Sequence, residues 1–299
     1  MKFRLPYRLR VLKSRLLRQW ETEHILRARY RDLFGEELDS ANLQTFTEKL
    51  YYRMILMNRH GCPFFTQLAD KFAVRSYVAE RTSPDYLIPL LWHGTDPRHI
   101  PFAELPAQCV IKTNHGQGDQ IFLNQLSVDQ TAVQRTLRKN LKENPFWRLR
   151  EYQYYRIRPR ILIETLIEDG DPLGPLDYRF WCFNGRPHLI QVDNRNHSIN
   201  PFYDDTWRKL DLSYRTKFQP VSIPRPANLE TMLSVASDLS RGIDFVRVDL
   251  YNSVGKIFFG ELTLTPVGGK IPFTPAEWDH RLGELWDFDK HLSEVQVSR

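Results

Sequence analysis

The chain has 299 residues and a formal net charge of +6, with 41% hydrophobic and 26% charged residues. This balance predicts a packed soluble protein and excludes a largely disordered one. No run approaches the roughly 20 apolar residues that span a bilayer, and the N-terminus lacks the apolar segment of a secretory signal, so we expect a cytoplasmic protein. The positive charge favours anionic partners: nucleic acid, anionic lipid, nucleotide phosphates or acidic polysaccharide.

The sequence contains three cysteines, Cys62, Cys109 and Cys182, and no two of them form a CxxC pair. Disulfide frameworks and zinc knuckles are built from closely spaced pairs, so this pattern argues against both. We expect all three side chains to be buried, reduced thiols.

The N-terminal segment is strongly basic, with ten Lys or Arg among its first 31 residues. Apolar residues recur among them at near-helical spacing and predict a helix over 7–33 within a basic extension, residues 1–40. The helix either docks on the rest of the protein through its apolar stripe or lies on the anionic inner face of a membrane. A second helix is predicted over 42–58, with Asp39-Ser40 as its N-terminal cap.

The remaining elements mix short helices with hairpins. Prolines punctuate residues 62–106, which are expected to form short helices and loops. Strands are predicted over 108–114, 158–167, 176–185 and 186–194, and helices over 128–142, 227–241 and from Pro275 onward. Asn184-Gly185 is a strong hairpin turn signal between two of these strands. The mixture predicts the α+β class with two or more layers.

The stretch VRVDLYNSVGKIFFGELTLTP, residues 246–266, predicts a hairpin with polar side chains at alternate positions and with Asn252-Ser253-Val254-Gly255 as its turn. Period-2 alternation places one set on one face of the first strand: Phe245, Arg247, Asp249 and Tyr251. The same alternation places another set on one face of the second: Ile257, Phe259, Glu261 and Thr263. The carboxylates Asp249 and Glu261 then converge, either as ligands for a hard cation such as Mg²⁺ or as a pair neutralised by Arg247 on a solvated face.

A second candidate site follows the strand that ends near Lys112. The loop HGQGDQ, residues 115–120, contains Gly116 and Gly118, and glycines let backbone N–H groups approach phosphate oxygens closely. The loop matches neither GxxxxGK[ST] nor GxGxxG, and an ordinary glycine turn is the alternative.

Further residues are weaker candidates. Lys71 and Arg75 either form an ion-paired helix start or clamp a substrate carboxylate or phosphate, for which Arg75 has the better geometry. Arg195 and Asp204 either line the cleft that binds this substrate or belong to an ordinary loop. The aromatic and arginine residues over 147–156 are expected to pack together rather than stack on bases, so no nucleic-acid partner is expected.

The order of these segments resembles the ATP-grasp superfamily and, more narrowly, its teichuronopeptide-synthesis (TupA-like) branch, over roughly residues 45–287. Five segments carry the resemblance: DKFAVRSYV (70–78), VIKTNHGQG (110–118), PRILIETLI (159–167), DYRFWCFNG (177–185) and FVRVDLYNSVGKIFFGELTLTPVGG (245–269). The resemblance implies two α+β subdomains that grip ATP. We expect a substrate-side subdomain over 41–106, one ATP-grasp subdomain over 107–170, and a second, with the metal site, over 171–299.

The resemblance also implies roles for single residues. Lys112 matches the lysine that binds ATP phosphates, and Arg247 matches the arginine that steadies an acyl phosphate. Asp249 and Glu261 match the magnesium carboxylates, whereas Thr263 replaces the more usual Asn. The other nucleotide-binding positions implied are those of the closing loop, the adenine hinge and the ribose acid: His115, Gly116, Gly118, Glu164, Thr165, Leu166, Ile167 and Asp177.

The activity implied by the resemblance is ATP- and Mg²⁺-dependent ligation of a carboxylate to an amine through an acyl phosphate. The implied product joins an amino acid or peptide to an acidic sugar of a surface polysaccharide precursor, in the cytoplasm or at the inner face of the membrane. One alternative is an ATP-grasp phosphotransferase with a hydroxyl acceptor. Another is a non-enzymatic basic module for nucleic acid or membrane, which leaves Asp249 and Glu261 unexplained.

Overall fold

The computed structural model describes residues 18–116, 118–124, 128–170, 174–213 and 221–288. The helices are α1 (Arg18–Phe34), α2 (Phe46–His60), α3 (Pro63–Ala69), α4 (Val74–Arg81), α5 (Gln130–Asn140), α6 (Phe146–Leu149), α7 (Leu229–Ser240) and α8 (Glu277–Leu285). The strands are β1 (Leu90–Gly94), β2 (Gln108–Thr113), β3 (Ile121–Asn124), β4 (Ile161–Thr165), β5 (Asp177–Phe183), β6 (Arg186–Asp193), β7 (Phe202–Asp204), β8 (Lys209–Leu210), β9 (Phe245–Ser253) and β10 (Lys256–Thr263). Short 3₁₀ turns cover Pro84–Tyr86, Pro97–His99, Phe102–Glu104, Tyr152–Tyr154 and Pro266–Gly269.

The described part of the basic N-terminal helix is docked on the protein. Helix α1 buries Thr22, Leu26 and Tyr30 at four-residue spacing, and the last two join an apolar cluster with residues of α2. The docked-helix interpretation is therefore confirmed for α1. The rest of the predicted helix, residues 7–17, lies outside the described residues, and none of the described helices has the length and apolarity needed to cross a bilayer.

Helix α2 does not begin at the predicted cap, Asp39-Ser40. The Thr45 hydroxyl accepts a hydrogen bond from the Glu48 backbone N–H, while the Glu48 carboxylate accepts one from the Thr45 N–H. This reciprocal capping box satisfies two N–H groups that the first helical turn leaves without partners. The prediction was wrong because the T-x-x-E pattern, which begins at Thr45, lies six residues beyond Asp39.

Two antiparallel sheets form the framework. Sheet A has the order β1-β4-β2-β3 and sheet B the order β10-β9-β5-β6-β7-β8. The turn Asn184-Gly185 has positive φ at both residues, 50° and 79°, as predicted for a tight hairpin. Strand β1 was not predicted, because residues 62–106 were expected to form only short helices and loops, yet it pairs with β4 along the edge of sheet A.

The β9–β10 hairpin differs from the prediction at two points. Its turn consists of Val254 and Gly255 alone, with φ of 50° and 83°, and both strands run up to it. In addition, Phe259 pairs with Leu250 while Glu261 pairs with Asp249, so Gly260 is an extra residue in β10. This bulge moves Ile257 and Phe259 into the core and leaves Glu261 and Thr263 on the opposite face, so these four side chains do not share a face.

The predicted face of β9 is confirmed, and it divides into two regions. Asp249 lies opposite Arg179 of β5, and Phe245 lies opposite Phe183. At the Phe245 end, aromatic residues of sheet B pack against Phe46 of α2. At the other end the same face carries charged side chains, while the reverse face packs against α7. All three cysteines are buried and free, as predicted.

Arg53 of α2 is a fully buried charge that connects three segments. Its guanidinium donates to the Asp244 carboxylate and the Phe245 carbonyl, each at 2.8 Å, and also to the Leu264 carbonyl. These contacts fix helix α2 to the start of β9 and to the chain just beyond β10. The burial of a charge is tolerated when such a set of acceptors surrounds it.

We predict that Arg53→Ala lowers the free energy of unfolding by about 3 kcal/mol or more, because it leaves a carboxylate and two carbonyls without their donor. Urea unfolding followed by circular dichroism measures this. Arg31→Ala, which removes a largely exposed arginine paired with Glu37, is the matched control and should leave the urea midpoint close to that of the parent. A loss below about 1 kcal/mol for Arg53→Ala would contradict the structural role given to it.

Candidate functional site

A cleft of about 400 Å³ lies between the two sheets. Residues from β2, β3, β4, β5, β9 and β10 line it, together with the loops that follow β4 and β6. The lining contains many of the residues predicted from the sequence: Lys71, Lys112, Glu164, Thr165, Leu166, Ile167, Asp177, Arg195, Asp249 and Glu261. It also contains residues that the sequence reasoning did not single out as site residues, among them Gln120, Phe122, Arg179, Asn194, His197 and Tyr251.

The wall formed by sheet A is centred on the buried carboxylate of Glu164. Lys112 Nζ lies 2.5 Å from Glu164 Oε2, and the Arg75 guanidinium lies 3.1 Å from Oε1. Since Glu164 pairs with Val110 on β2, Lys112 reaches it from a diagonal position on the same face. Arg75 also donates to the Ile88 carbonyl and is not part of the cleft lining, so its guanidinium supports Glu164 instead of facing the cleft.

The chain leaves sheet A directly after Thr165. The Thr165 N–H donates to the Pro89 carbonyl, and the next two residues, Leu166 and Ile167, line the cleft. The predicted hinge segment, residues 164–167, therefore lies at the cleft, and its first residue, Glu164, forms the ion pair with Lys112.

The glycine loop is held at both ends. Lys71 Nζ donates to the Gly116 carbonyl at 2.9 Å, and the Asp119 carboxylate accepts from the Thr113 N–H and hydroxyl. A Cβ at Gly116 would lie 2.2 Å from the nearest Asp119 oxygen, so only glycine leaves room for this contact. Gly118 has a φ of +69°.

The side chain of His115 does not line the cleft, contrary to its predicted nucleotide contact. It is buried, its Nε2 lies 2.8 Å from the Glu143 carbonyl, and its Nδ1 lies 3.3 Å from Asn114 Oδ1. Burial lowers the pKa of His115 and favours the neutral ring. His115 therefore anchors the loop to the segment after α5.

The wall formed by sheet B holds the predicted carboxylate pair. Arg247 makes a two-point contact with Asp249, with nitrogen–oxygen distances of 2.7 and 2.5 Å, and donates to the Thr263 hydroxyl at 3.1 Å. The Thr263 hydroxyl donates to Glu261 Oε1 at 2.9 Å. The Glu261 side chain is 44% exposed, and Lys71 Nζ approaches it to 3.8 Å. Paired positions on β9 and β10 thus bring Asp249, Glu261 and Thr263 together.

Arg179 is a central residue that the sequence reasoning missed. Its guanidinium lies 2.7 Å from Asp177, 2.5 Å from Asp193 and 3.8 Å from Asp249. The pattern Asp177-x-Arg179 on a strand next to β9 is the signal that could have found it. Asp177 Oδ1 is buried with no hydrogen-bond partner, which leaves an acceptor in the cleft wall.

The carboxylates of this wall have strongly altered proton affinities. Burial raises the pKa of Asp249 to about 7, against the opposing effect of Arg247. Burial also raises the pKa of Asp177, although Arg179 opposes it. Burial acts in the same direction on Glu261, but Lys71 and Arg247 hold the pKa of Glu261 below its usual value. One carboxylate is thus kept ionised beside two that bind protons more readily.

The two remaining substrate candidates differ in position. Arg195 lies in the cleft, with its guanidinium 4.6 Å from the centre of the Phe122 ring on β3. Asp204 lies outside the lining, because its carboxylate accepts hydrogen bonds from Thr206 and Arg208 in its own turn. Of the two alternatives given for Asp204, the ordinary loop is therefore the one that the structure supports. Within the described ranges, no three or more His, Cys, Asp or Glu side chains are grouped so that they could hold a metal ion.

Comparison with solved structures gives distant matches. D-alanine–D-alanine ligase from Bacillus anthracis complexed with ATP is 14% identical, with a TM-score of 0.41, over 70% of this chain and 55% of that one. D-cycloserine synthetase DcsG is 15% identical, with a TM-score of 0.39, over 68% of this chain and 64% of that one. The ATP-grasp ligase PsnB, complexed with minimal precursor, Mg and ADP, is 13% identical, with a TM-score of 0.36, over 68% of this chain and 52% of that one. The chain thus spans between half and two thirds of their lengths.

No curated protein matches the chain. The model of one protein family, TupA-like ATP-grasp, matches residues 48–287, which is most of the chain and includes every residue of the cleft. This confirms the predicted family and, with the two sheets described above, the predicted α+β fold. The chain belongs to the TupA-like ATP-grasp family.

Proposed function

We propose that the protein is an ATP-dependent ligase that joins a carboxylate to an amine through an acyl phosphate. One observation carries the proposal: Lys112, fixed by Glu164, faces the carboxylates Asp249 and Glu261 across a single cleft. A phosphate chain between these walls would meet a cation on one side and oxygen ligands for a metal on the other. Membership of the ATP-grasp family supports the same placement of ATP.

The nucleotide is proposed to lie along sheet A. Lys112 would bind its phosphates, Gly116 and Gly118 would bring backbone N–H groups over them, and Thr165 to Ile167 would contact the adenine edge. Asp177 would accept from the ribose, and its buried Oδ1 without a partner supports this role, because such atoms are rare unless a ligand satisfies them.

The residues present fit a magnesium ion. Mg²⁺ takes oxygen ligands and is commonly held by one or two carboxylates together with substrate phosphates, so Asp249 and Glu261 would suffice. The Thr263 hydroxyl donates a hydrogen bond to Glu261, which favours a role in positioning that carboxylate over a role as a third metal ligand. When bound, the ion would neutralise phosphate charge.

The chain's own residues supply the rest of the proposed chemistry. Arg247, whose guanidinium plane is fixed by two contacts to Asp249, would steady the acyl phosphate. Acyl phosphates hydrolyse in water, so the loop that carries Gly116 and Gly118 would close over the site. Lys71 contacts both this loop and Glu261, which supports its place beside the reacting groups.

The substrates are proposed by chemical class. An acidic sugar of a surface polysaccharide precursor and an amino acid or peptide suit the positive net charge and Arg195 at the cleft. The buried free thiols support work in a reducing compartment such as the cytoplasm. We further propose that residues 1–17 contact an anionic membrane surface.

Hydroxylamine trapping tests the proposal and separates it from phosphotransfer. We expect the protein with ATP and Mg²⁺ to form ADP and a hydroxamate from at least one member of a panel of amino acids and uronic acids. Hydroxylamine attacks an acyl phosphate in place of the natural amine, so the amine need not be known. ADP formation that depends on a sugar hydroxyl and gives no hydroxamate would instead establish a kinase.

We predict that Asp249→Asn and Glu261→Gln each reduce Mg²⁺-dependent turnover by about 100-fold or more, because each removes an anionic oxygen ligand that would hold the metal beside the phosphates. Both variants should keep the parent's circular dichroism spectrum. Asp204→Asn is the matched control, since that carboxylate lies outside the cleft, and it should retain parental turnover. Near-parental turnover of either cleft variant at limiting Mg²⁺ would remove the metal assignment.

Binding of Mg²⁺ with ATP should weaken as the pH falls below about 7. The pKa of Asp249 is raised to about 7, so its carboxylate is mostly protonated below that pH, and a protonated oxygen is a poor metal ligand. Affinity should fall up to about tenfold per pH unit there, as isothermal titration calorimetry at several pH values would measure. In Asp249→Asn the contribution of this carboxylate is absent, so the dependence on pH should be shallower. Equal slopes for parent and variant would contradict the prediction.

A further inference from the structure

We propose that His197 accepts the proton from the attacking amine in the second half of the reaction. The inference rests on the proposed ligase function and assigns a residue that the sequence pattern did not indicate. Among the histidines that the structure describes, His197 is the one that lines the cleft. Its side chain is half exposed, so one edge of the ring is open to a ligand.

The orientation of the ring is set by a buried carboxylate. His197 Nδ1 lies 2.8 Å from Asp193 Oδ2, and the Asp193 side chain is fully buried. Asp193 is itself fixed, because its other oxygen accepts from the Asn194 N–H and Arg179 binds Oδ2 at 2.5 Å. An ionised carboxylate only accepts, so Nδ1 carries the proton and Nε2 keeps the lone pair that a base needs.

The backbone around His197 is built to hold this geometry. His197 has a φ of +55°, in a region that residues other than glycine adopt uncommonly, although Asn, Asp and His do so more often than most. Its N–H donates to the Asn194 carbonyl, while the Asn194 side chain accepts from the Ser198 N–H and bonds to the Ser198 hydroxyl. Strained residues of this kind are concentrated at functional sites, where the surroundings hold them in place.

The charged groups around the ring suit transient protonation. Asp193 contacts the ring directly, Arg179 reaches it through Asp193, and Asp177 balances Arg179 from the other side. Arg195, two residues back, is placed over the Phe122 ring. Asp193, held in place by Arg179, can therefore stabilise an imidazolium.

The proposed step balances as follows. The amine arrives as an ammonium ion, and one of its protons goes to His197 Nε2, which frees the lone pair. The nitrogen then attacks the acyl carbon, a C–N bond forms, and the C–O bond to phosphate breaks with its electron pair leaving on phosphate, which takes the second proton from nitrogen. The half-exposed ring then releases this proton to solvent. General-base assistance of this kind contributes about 10²–10⁴-fold to rate.

The test compares two nucleophiles on one carboxylate substrate found by hydroxylamine trapping. Hydroxylamine is a weak base that is neutral at pH 7. Primary amines such as amino acids and amino sugars are ammonium ions at this pH and must lose a proton before the nitrogen can attack. His197→Asn keeps a residue that tolerates positive φ but offers no basic nitrogen. We expect it to lower amide formation by about 100-fold or more, with hydroxamate formation within about twofold of the parent.

His197→Ala in the presence of added imidazole supplies a second readout. Imidazole at the half-exposed position should restore amide formation in a saturable manner, which a purely structural role would not produce. His99→Ala, an exposed histidine outside the cleft, is the control and should behave as the parent with both nucleophiles.

The results that would contradict the role of His197 differ from those that would contradict the ligase proposal. Equal loss of hydroxamate and amide in His197→Asn, or no loss of either, would overturn the role of His197 and leave the ligase proposal intact. Hydroxamate formed by the parent without amide from any primary amine of the panel would overturn the amine step. Absence of hydroxamate from the parent with every carboxylate would overturn both proposals.

Discussion

Neutralisation of buried carboxylates is the constraint on which the cleft depends. Asp177, Asp193 and Asp249 lie within a few residues of one another on sheet B, and a buried carboxylate is costly unless a cation or donors surround it. Arg179 contacts all three carboxylates, and Arg247 contacts Asp249 and Glu261. The two arginines leave part of the negative charge uncancelled, and burial, together with the charge of Asp177, raises the pKa of Asp249 in spite of them. A metal ion with a phosphate chain would relieve the remaining imbalance.

The fold produces this arrangement by using one face of sheet B in two ways. Near Phe245 that face is covered by aromatic residues, and near Asp249 it is open to the cleft. The bulge at Gly260 then supplies the second carboxylate, because without the extra residue Glu261 would face the core that holds Phe259. A Cβ at Gly260 would lie only 3.0 Å from the Asp249 carbonyl, so the bulge also depends on glycine.

Local patterns in the sequence predicted much of the fold and part of the site. Alternation identified the face that holds Arg247 and Asp249, and strand-then-glycine order identified Lys112, because both signals lie within a few residues. The bulge at Gly260 and the strand β1 depend on pairing with distant strands, which no local period reveals. Arg179 and the buried position of His115 depend on contacts with other segments, and the two alternatives for Asp204 could not be separated until its hydrogen bonds within its own turn were known.

The two walls of the cleft carry opposite local charge, and this difference determines which wall favours phosphates and which favours a cation. On sheet A, Lys112 and Arg75 share the single carboxylate of Glu164, so a positive charge remains for phosphates. On sheet B, carboxylates outnumber arginines, so a cation is favoured there. Lys71 lies between the walls, in contact with the Gly116 carbonyl and with Glu261. The glycine loop and the acidic wall are therefore mechanically connected through one side chain, so a displacement of either alters the charge that the other meets.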